Sequence, residues 1–262
     1  MIKKIVVSFI LMMCFIMAAA WEYNIRDIIV SSGVVSGSGI GVDSDVENNS
    51  PDDEENDKKV YLTFDDGPSR NTEQVLDILE KNKVRATFFL IGNQINDDTL
   101  KTLGRMIKDG NQIGIHTYSH EAAEIYASAD DYYSDVMKAR DTISECLGIT
   151  PSVYRFPWGS SNCYIAGYRK DIITRLRAAG LEYCDWNVSG EDSVGHPYAS
   201  KIIENVRSNY DVYDNPVLLL HDSSTSVETV KALDTIIKMY KKAGYGFGVL
   251  SEREGLYQWK GI

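Results

Sequence analysis

The fold is decided by the stretch VYLTFDDGP, which runs from Val60 to Pro68. Its first five residues form an apolar run with the length of a buried strand, and two aspartates, a glycine and a proline end the run. A segment with helical periodicity follows from Asn71 to Lys83, with Val75, Ile78 and Leu79 on one face. The order of strand, polar turn and helix is the unit from which the rest of the chain is built.

The same unit repeats along the chain. Further apolar runs predict strands at Ala86–Ile91, Gln112–Ile115, Val153–Phe156, Glu182–Val188, Val217–Leu220 and Phe247–Leu250. Amphipathic segments predict helices near residues 97–109, 130–147, 166–179, 198–209 and 227–243. Continuous apolar strands separated by helices are typical of a parallel sheet covered by helices. We therefore predict the α/β class and a distorted (β/α)7 barrel, with an open doubly wound sheet as the alternative.

Composition and charge exclude several classes of protein. The chain has 262 residues, of which 44% are hydrophobic, enough for one large core. Four cysteines are too few for a disulfide scaffold, and no collagen-like, heptad or solenoid repeat is present. A formal net charge of −11 and a pI near 4.9 argue against nucleic-acid binding, because phosphate backbones are bound by clustered Lys and Arg.

The first twenty residues predict export. Lys3 and Lys4 precede a predominantly apolar stretch from Ile5 to Ala20, the pattern of a secretory signal peptide with small residues at its end. A membrane anchor that is not cleaved is the alternative. We expect an extracellular protein, secreted or anchored by this segment at the cell wall.

An acidic spacer follows at residues 21–58. It is rich in Gly, Ser, Asn and Asp, and between Asp43 and Asp57 it has eight acidic residues and no basic one. Such a composition cannot bury enough apolar surface to fold, so we predict a flexible linker and a catalytic domain at residues 59–262. Of the cysteines after the linker, Cys146, Cys163 and Cys184 match no metal or redox spacing, and we interpret them as small buried hydrophobic residues.

Polar residues follow most of the predicted strands, where parallel strands present their carboxyl ends. His116 and His120 are spaced i and i+4, so on one helical turn they face the same way. With the nearby carboxylate of Asp66 they would give two nitrogen ligands and one oxygen ligand, a set that suits zinc. The alternative is that both imidazoles bind no metal and form ordinary hydrogen bonds at the surface or in the core.

Asp65 and Arg155 also stand at predicted strand ends. The turn at Gly67-Pro68 would allow the carboxylates of Asp65 and Asp66 to face the same site at the carboxyl ends of the strands, the mouth of the predicted barrel. A solvated turn explains the Asp-Asp-Gly-Pro sequence equally well. Taken alone, Arg155 is better explained by a surface ion pair.

Four motifs resemble, in chain order, those of the polysaccharide deacetylases of carbohydrate esterase family 4, also known as the NodB homology domain. They are TFDDGPS at 63–69, HTYSH at 116–120, RFPWG at 155–159 and LLH at 219–221. The resemblance covers about residues 59–251 and implies a distorted (β/α)7 barrel. It also implies a divalent-metal hydrolase that removes acetyl groups from N-acetylglucosamine units of peptidoglycan or chitin-like chains.

The resemblance implies a role for each matching residue. Asp66, His116 and His120 are the expected ligands of a divalent metal, with Zn²⁺ favoured over Co²⁺, Mn²⁺ and Ni²⁺. Asp65 is the expected general base and His221 the expected general acid. An acetamide needs both, because water must be activated and the departing nitrogen must be protonated.

Arg155 resembles the arginine that holds the base, and Asp192 resembles the carboxylate that pairs with the acid. Asp222 is a second candidate partner for His221, although a helix cap is the favoured interpretation for it. His196 is interpreted as a solvent-facing loop residue.

The substrate-binding residues are the least specific part of the resemblance. The backbone N–H of Trp158 resembles an oxyanion donor, and Leu219 resembles a residue of the acetyl pocket. Pro157 and Trp186 complete the expected set. Ser193 departs from the family, which usually has a tryptophan there as a pocket wall.

Two other functions stay open: a metal-dependent hydrolase of acetyl esters or small amides, and an inactive glycan-binding wall protein. The expected partner is an N-acetylated polysaccharide, with peptidoglycan favoured. We expect a monomer that lies near the membrane or cell wall through its N-terminal segment and binds no nucleic acid.

The composition of the spacer yields a first prediction. A chain that starts at Asp57 should be soluble and active, because the preceding residues have too little apolar content to join the core. Thermal unfolding and acetate release of the long and short chains should agree. Aggregation of the short chain, or a much lower Tm, would show that the domain boundary is wrong.

Overall fold

The computed structural model describes residues 58–259. The predicted signal segment at residues 1–20 lies outside the described residues, as does the predicted linker except for Lys58. The domain boundaries therefore stay predictions. Within residues 58–259, none of the helices has the length and apolar character needed to cross a bilayer.

Eight strands form a sheet in which every paired strand runs parallel to its neighbour. Their order is β5-β4-β3-β2-β1-β7-β6, and β8 pairs with the first residues of β1. The strands are β1 (Lys59–Gly67), β2 (Thr87–Leu90), β3 (Gln112–Ile115), β4 (Val153–Tyr154), β5 (Glu182–Tyr183), β6 (Val188–Ser189), β7 (Val217–His221) and β8 (Gly246–Phe247).

Helices follow the strands and cover the sheet. They are α1 (Arg70–Asn82), α2 (Asp97–Lys108), α3 (Ala122–Ile125), α4 (Ala129–Leu147), α5 (Arg169–Ala178), α6 (Ala199–Arg207) and α7 (Val227–Lys242). Helix α7 packs between α1 and α6, and α4 packs on α5. Three single 3₁₀ turns lie at Gly92–Gln94, Cys163–Ile165 and Leu250–Glu252.

The sheet is curled into a distorted barrel, as predicted, and one short segment bridges its two edges. The predicted strand Glu182–Val188 is divided into β5, which pairs with β4, and β6, which pairs with β7. Only residues 184–187 separate the two. The Cys184 N–H donates to the Tyr154 carbonyl on one side, and the Asn187 N–H donates to the Val217 carbonyl on the other. The open doubly wound sheet is therefore wrong, because the same segment joins both edges.

The alternation of side chains along β1 creates two buried clusters. Val60, Leu62 and Phe64 join the large cluster between sheet and helices. Tyr61 joins a smaller cluster with Phe89, Val153, Cys184, Val217 and Leu250. Because alternate residues of a strand face opposite sides, Thr63 and Asp65 lie on the same side as Tyr61, inside the barrel.

Two expectations from the sequence are corrected. The last strand was predicted at Phe247–Leu250 but lies at Gly246–Phe247, and a 3₁₀ turn begins at Leu250. The Leu250 N–H donates to the Thr87 hydroxyl instead of extending a ladder. Of the three cysteines, only Cys184 is buried, whereas Cys146 and Cys163 are exposed on α4 and on a surface 3₁₀ turn. A short apolar side chain does not by itself reveal which face of a helix it occupies.

Residues 184–187, which join β5 to β6 and are called the seam below, are held in place by a buried carboxylate. The Asp185 carboxylate accepts hydrogen bonds from the Ser160 N–H at 2.9 Å, the Ser160 hydroxyl at 2.6 Å and the Trp259 N–H at 3.1 Å. The Asp185 N–H in turn donates to the Tyr257 carbonyl. One side chain thus joins the seam, the loop after β4 and the segment that contains Trp259.

We expect Asp185→Ala to lower the free energy of unfolding by on the order of 3 kcal/mol, because it leaves three donors without their acceptor. Urea unfolding of metal-free protein measures the change. Asp214→Ala, which removes only the exposed ion pair with Lys58, is the matched control and should cost less than about 1 kcal/mol. Equal effects of the two substitutions would contradict the role given to Asp185.

Candidate active site

The polar residues predicted at strand ends lie together at the carboxyl-terminal mouth of the barrel. A register shift at the end of β1 lies between Asp65 and Gly67, and Asp66 has a left-handed backbone with φ of 73°. The turn brings both carboxylates to one imidazole: the Nε2 atom of His116 lies 3.8 Å from Asp65 Oδ2 and 3.4 Å from Asp66 Oδ1. The two neighbours in sequence therefore share one mouth.

Asp66, His116 and His120 form a candidate metal site. The Nε2 atoms of both histidines lie 3.4 Å from Asp66 Oδ1, and one ligand atom from each of the three residues fits within 4.8 Å. His116 Nδ1 lies 3.0 Å from the Arg155 carbonyl. Because a carbonyl only accepts hydrogen bonds, Nδ1 carries the proton and Nε2 presents a lone pair to the site.

His116 and His120 do not lie on a helical turn, which corrects the expectation from their spacing. His116 directly follows β3, and the chain then turns through left-handed backbone at Thr117 and His120, with φ of 74° and 58°. The Asp135 carboxylate of α4 accepts hydrogen bonds from the N–H groups of Tyr118 and Ser119 and fixes this loop. The loop returns the second imidazole to the mouth.

The cluster is electrostatically suited to a cation. Burial alone would raise the pKa of Asp66, but the neighbouring imidazoles of His116, His221 and His120 outweigh it and hold that pKa well below its usual range. Burial, together with the charge of His116, lowers the pKa of His120 to about 4. At neutral pH the site therefore offers an ionised carboxylate and a neutral imidazole, the forms that bind metals.

Arg155 is fully buried, so it is not a surface ion pair. Its Nη1 donates to Asp65 Oδ1 at 2.9 Å and to the Thr63 hydroxyl at 2.7 Å. Its Nε and Nη2 donate to the carbonyls of Cys184 and Asp185. The guanidinium thus joins the end of β1 to the seam of the barrel and fixes the Asp65 carboxylate in position.

His221 and Asp192 form a second pair across the mouth. The His221 Nδ1 and Asp192 Oδ1 atoms are 2.8 Å apart, while Asp192 Oδ2 accepts from the His221 N–H and the Thr229 hydroxyl. Burial lowers the pKa of His221, but the hydrogen bond and charge of Asp192 outweigh it and raise that pKa to about 9. The imidazole is therefore charged at neutral pH.

Asp222 is neither a helix cap nor a partner of His221, which corrects the sequence interpretation. Its buried carboxylate accepts a hydrogen bond from the Thr72 hydroxyl of α1 at 2.5 Å. A Cβ atom on Gly67 would lie 2.6 Å from Asp222 Oδ2, so the carboxylate packs against the turn after β1. Burial raises the pKa of Asp222 to about 7. The sequence carried no signal of this contact, because Thr72 lies 150 residues away.

The expected substrate-binding residues surround the same mouth. Trp158 has φ of 60° and is half exposed, with its ring 5.2 Å from that of His120. The Pro157 carbonyl accepts from the Tyr126 hydroxyl, and Leu219 lies on β7 beside Thr63 of β1. Ser193 is exposed in the loop after β6.

Trp186 packs edge-on against a residue that the sequence did not suggest, Trp259. Their ring centroids are 4.6 Å apart, and the Trp259 indole N–H donates to the Trp186 carbonyl. A Cβ atom on Gly159 would lie 2.4 Å from the Trp259 ring, which explains the glycine after Trp158. The local sequence around Trp259 did not predict its contacts with Trp186 and Gly159. His196 lies exposed in a loop, as predicted.

Comparison with known proteins identifies the family of this chain. The profile of the family described as polysaccharide deacetylase matches residues 52–184. A bifunctional xylanase/deacetylase of Pseudobutyrivibrio xylanivorans is 34% identical over 234 residues, which are 89% of this chain and 36% of that protein. This chain therefore spans about a third of that relative. A peptidoglycan-N-acetylglucosamine deacetylase of Bacillus cereus is 30% identical over 74% of this chain and 70% of its own length.

A solved structure shows the same fold. The catalytic domain of a peptidoglycan N-acetylglucosamine deacetylase from Eubacterium rectale has a TM-score of 0.72 and 32% identity, over 83% of this chain and 97% of that one. The profile, the relatives and the solved structure all indicate the same family. The chain belongs to the polysaccharide deacetylase family, which is a family of hydrolases.

Proposed function

We propose that this protein removes N-acetyl groups from N-acetylglucosamine units of a cell-wall polysaccharide, with peptidoglycan as the favoured substrate. The observation that carries the proposal is the arrangement of three charged groups around one mouth. These are the Asp66, His116 and His120 cluster, the buried Asp65–Arg155 pair and the His221–Asp192 pair. Relatives named as peptidoglycan deacetylases support the choice of substrate.

The residues present fit a divalent metal. Asp66 Oδ1 is buried and forms no hydrogen bond, and such an atom is costly unless a cation or other partner satisfies it. Two imidazole nitrogens and one carboxylate oxygen suit Zn²⁺ and also accept Co²⁺, Mn²⁺ or Ni²⁺. When bound, a divalent metal would polarise the acetamide carbonyl and make water more acidic.

Asp65 is the proposed general base. Its carboxylate is buried beside the candidate metal site, and the hydrogen bond from Arg155 at 2.9 Å fixes it where it can accept a proton from the attacking water. The Trp158 N–H is the proposed donor to the oxyanion that develops on the carbonyl oxygen. Leu219, Pro157 and Trp186 are proposed to contact the acetylated sugar.

His221 is the proposed general acid. Because Asp192 occupies Nδ1, the proton on Nε2 is the one available to the departing nitrogen. Its transfer accompanies cleavage of the carbon–nitrogen bond, and the products are acetate and a free amine. His221 is protonated below a pH of about 9, so the acid form is present at neutral pH.

We also propose that the protein acts outside the cell as a monomer. The apolar segment at residues 1–20 supports export, and a single chain supplies every proposed catalytic residue. Hydrolysis of acetyl esters is the second candidate function, because a relative of known structure is named an esterase, that of Streptococcus mutans.

Removal of the metal should abolish activity. Excess chelator should reduce acetate release by on the order of 10²-fold or more, since a metal contributes several kcal/mol of charge stabilisation, and added Zn²⁺ should restore it. His120→Ala should match the chelated protein in activity and in metal content. His196→Ala, which changes an exposed histidine, is the matched control. Full activity with no metal bound would contradict the proposed mechanism.

The acid and the base should be separable by the leaving group. Asp65→Asn should lose hydrolysis of N-acetyl sugars and of aryl acetates alike, because both need an activated water. His221→Ala should lose amide hydrolysis by about 10²- to 10⁴-fold and lose much less on an aryl acetate, since a phenolate leaves without a proton. The measurement is kcat/KM of each variant on both substrates. If His221→Ala lost equal activity on the amide and on the aryl acetate, the assignment of His221 as general acid would be wrong.

A further inference from the structure

Two large aromatic side chains lie half exposed beside the mouth. Trp158 is 52% exposed and Tyr164 is 56% exposed, and their ring centroids are 5.9 Å apart. The Trp158 ring also lies 5.2 Å from the ring of His120. An exposed aromatic patch that borders a candidate catalytic site indicates a binding surface. We call Trp158 and Tyr164 the aromatic platform.

The aromatic platform is rigid because other rings support it from below. The Tyr164 ring stacks on Tyr126 with centroids 5.5 Å apart and an interplanar angle of 5°. Tyr126 stacks in turn on the fully buried Tyr132, with centroids 5.4 Å apart and an angle of 4°. The Tyr126 hydroxyl donates to the Pro157 carbonyl, directly before Trp158. Binding of a ligand here therefore costs little entropy, because the protein side chains are already ordered.

The chemistry of the aromatic platform suits a sugar ring. A pyranose presents a face of C–H groups, which packs on the apolar face of an aromatic ring, while its hydroxyl groups stay in contact with water at the rim. Neither platform residue carries a charge, so the surface favours a neutral ring over an ionic group. A polysaccharide supplies one such ring next to another along its chain.

We propose that Trp158 and Tyr164 form a stacking subsite for the sugar ring adjacent to the N-acetylglucosamine unit that is deacetylated. The proposal rests on the proposed function. The centroids of the Trp158 and His120 rings are 5.2 Å apart, which places the subsite directly beside the candidate metal cluster. The subsite therefore makes the protein an enzyme of polymers and not of free monosaccharides. It adds a role for the Trp158 side chain to the role of its backbone N–H.

Chain length is the variable that tests this subsite. We expect Tyr164→Ala to lower kcat/KM for the N-acetylglucosamine tetrasaccharide about tenfold more than for the monosaccharide, mainly through KM. Tyr164→Phe keeps the ring and should restore the dependence on chain length. Tyr198→Ala removes another exposed tyrosine, 79% exposed in the loop before α6, and should leave that dependence unchanged. Equal losses on both substrates for Tyr164→Ala would overturn the proposal.

A binding measurement keeps the test independent of catalysis. Calorimetric titration of the tetrasaccharide into the zinc-loaded protein should give about tenfold weaker binding for Tyr164→Ala than for Tyr164→Phe. If no substrate releases acetate, the proposed function fails, and the titration alone decides the subsite. Unchanged affinity of Tyr164→Ala for the tetrasaccharide would overturn the subsite. The subsite would also be overturned if sedimentation showed that Tyr164→Ala dissociates a dimer while sugar binding stays the same, because Tyr164 would then be a contact between two copies of the chain. These oligosaccharides carry no peptide, so a platform for peptide stems would also give unchanged affinity.

Discussion

Arg155 lies inside the barrel mouth. Its guanidinium donates hydrogen bonds to the Asp65 carboxylate, the Thr63 hydroxyl and the carbonyls of Cys184 and Asp185 in the seam. The guanidinium carbon lies over the Phe89 ring, 4.2 Å from the ring centroid. A buried charge without its partner costs about 3–5 kcal/mol, so the ion pair and its hydrogen bonds have to form together. The same residue sets the tautomer of His116, because its carbonyl accepts from Nδ1. Base, candidate metal site and barrel closure thus depend on one side chain and its own backbone.

The two sides of the mouth hold histidines in opposite states. Burial and a neighbouring imidazole lower the pKa of His120 to about 4, while the Asp192 carboxylate raises the pKa of His221 to about 9 despite burial. At neutral pH one imidazole is therefore a lone-pair donor and the other a proton donor. Groups whose environments separate their pKa values in this way are suited to divided catalytic roles. The separation follows from burial and the neighbouring His116 imidazole on one side, and from the Asp192 carboxylate on the other.

Much of this protein could be predicted from local sequence. Apolar runs with the length of strands, followed by amphipathic segments, predicted the parallel sheet, because burial on both faces requires continuous apolar strands. The position of Asp65, Asp66, His116, Arg155 and His221 after such runs predicted a shared mouth, because parallel strands present their carboxyl ends at one edge. The motif resemblance added the roles now proposed for these residues.

The tertiary structure decided what depends on partners distant in sequence. Arg155 was ambiguous because an arginine after a strand is compatible with solvent or with the core, and only the curled sheet makes it a buried partner of Asp65. The position of Asp222 before residues 223–227 indicated a helix cap, whereas its contact with Thr72 of α1, 150 residues away, depends on the tertiary structure. Likewise the strand at 182–188 is divided because its two halves pair with strands far apart in sequence. Periodicity reports which residues are buried, whereas the identity of the group each one contacts is set by how the sheet curls and closes.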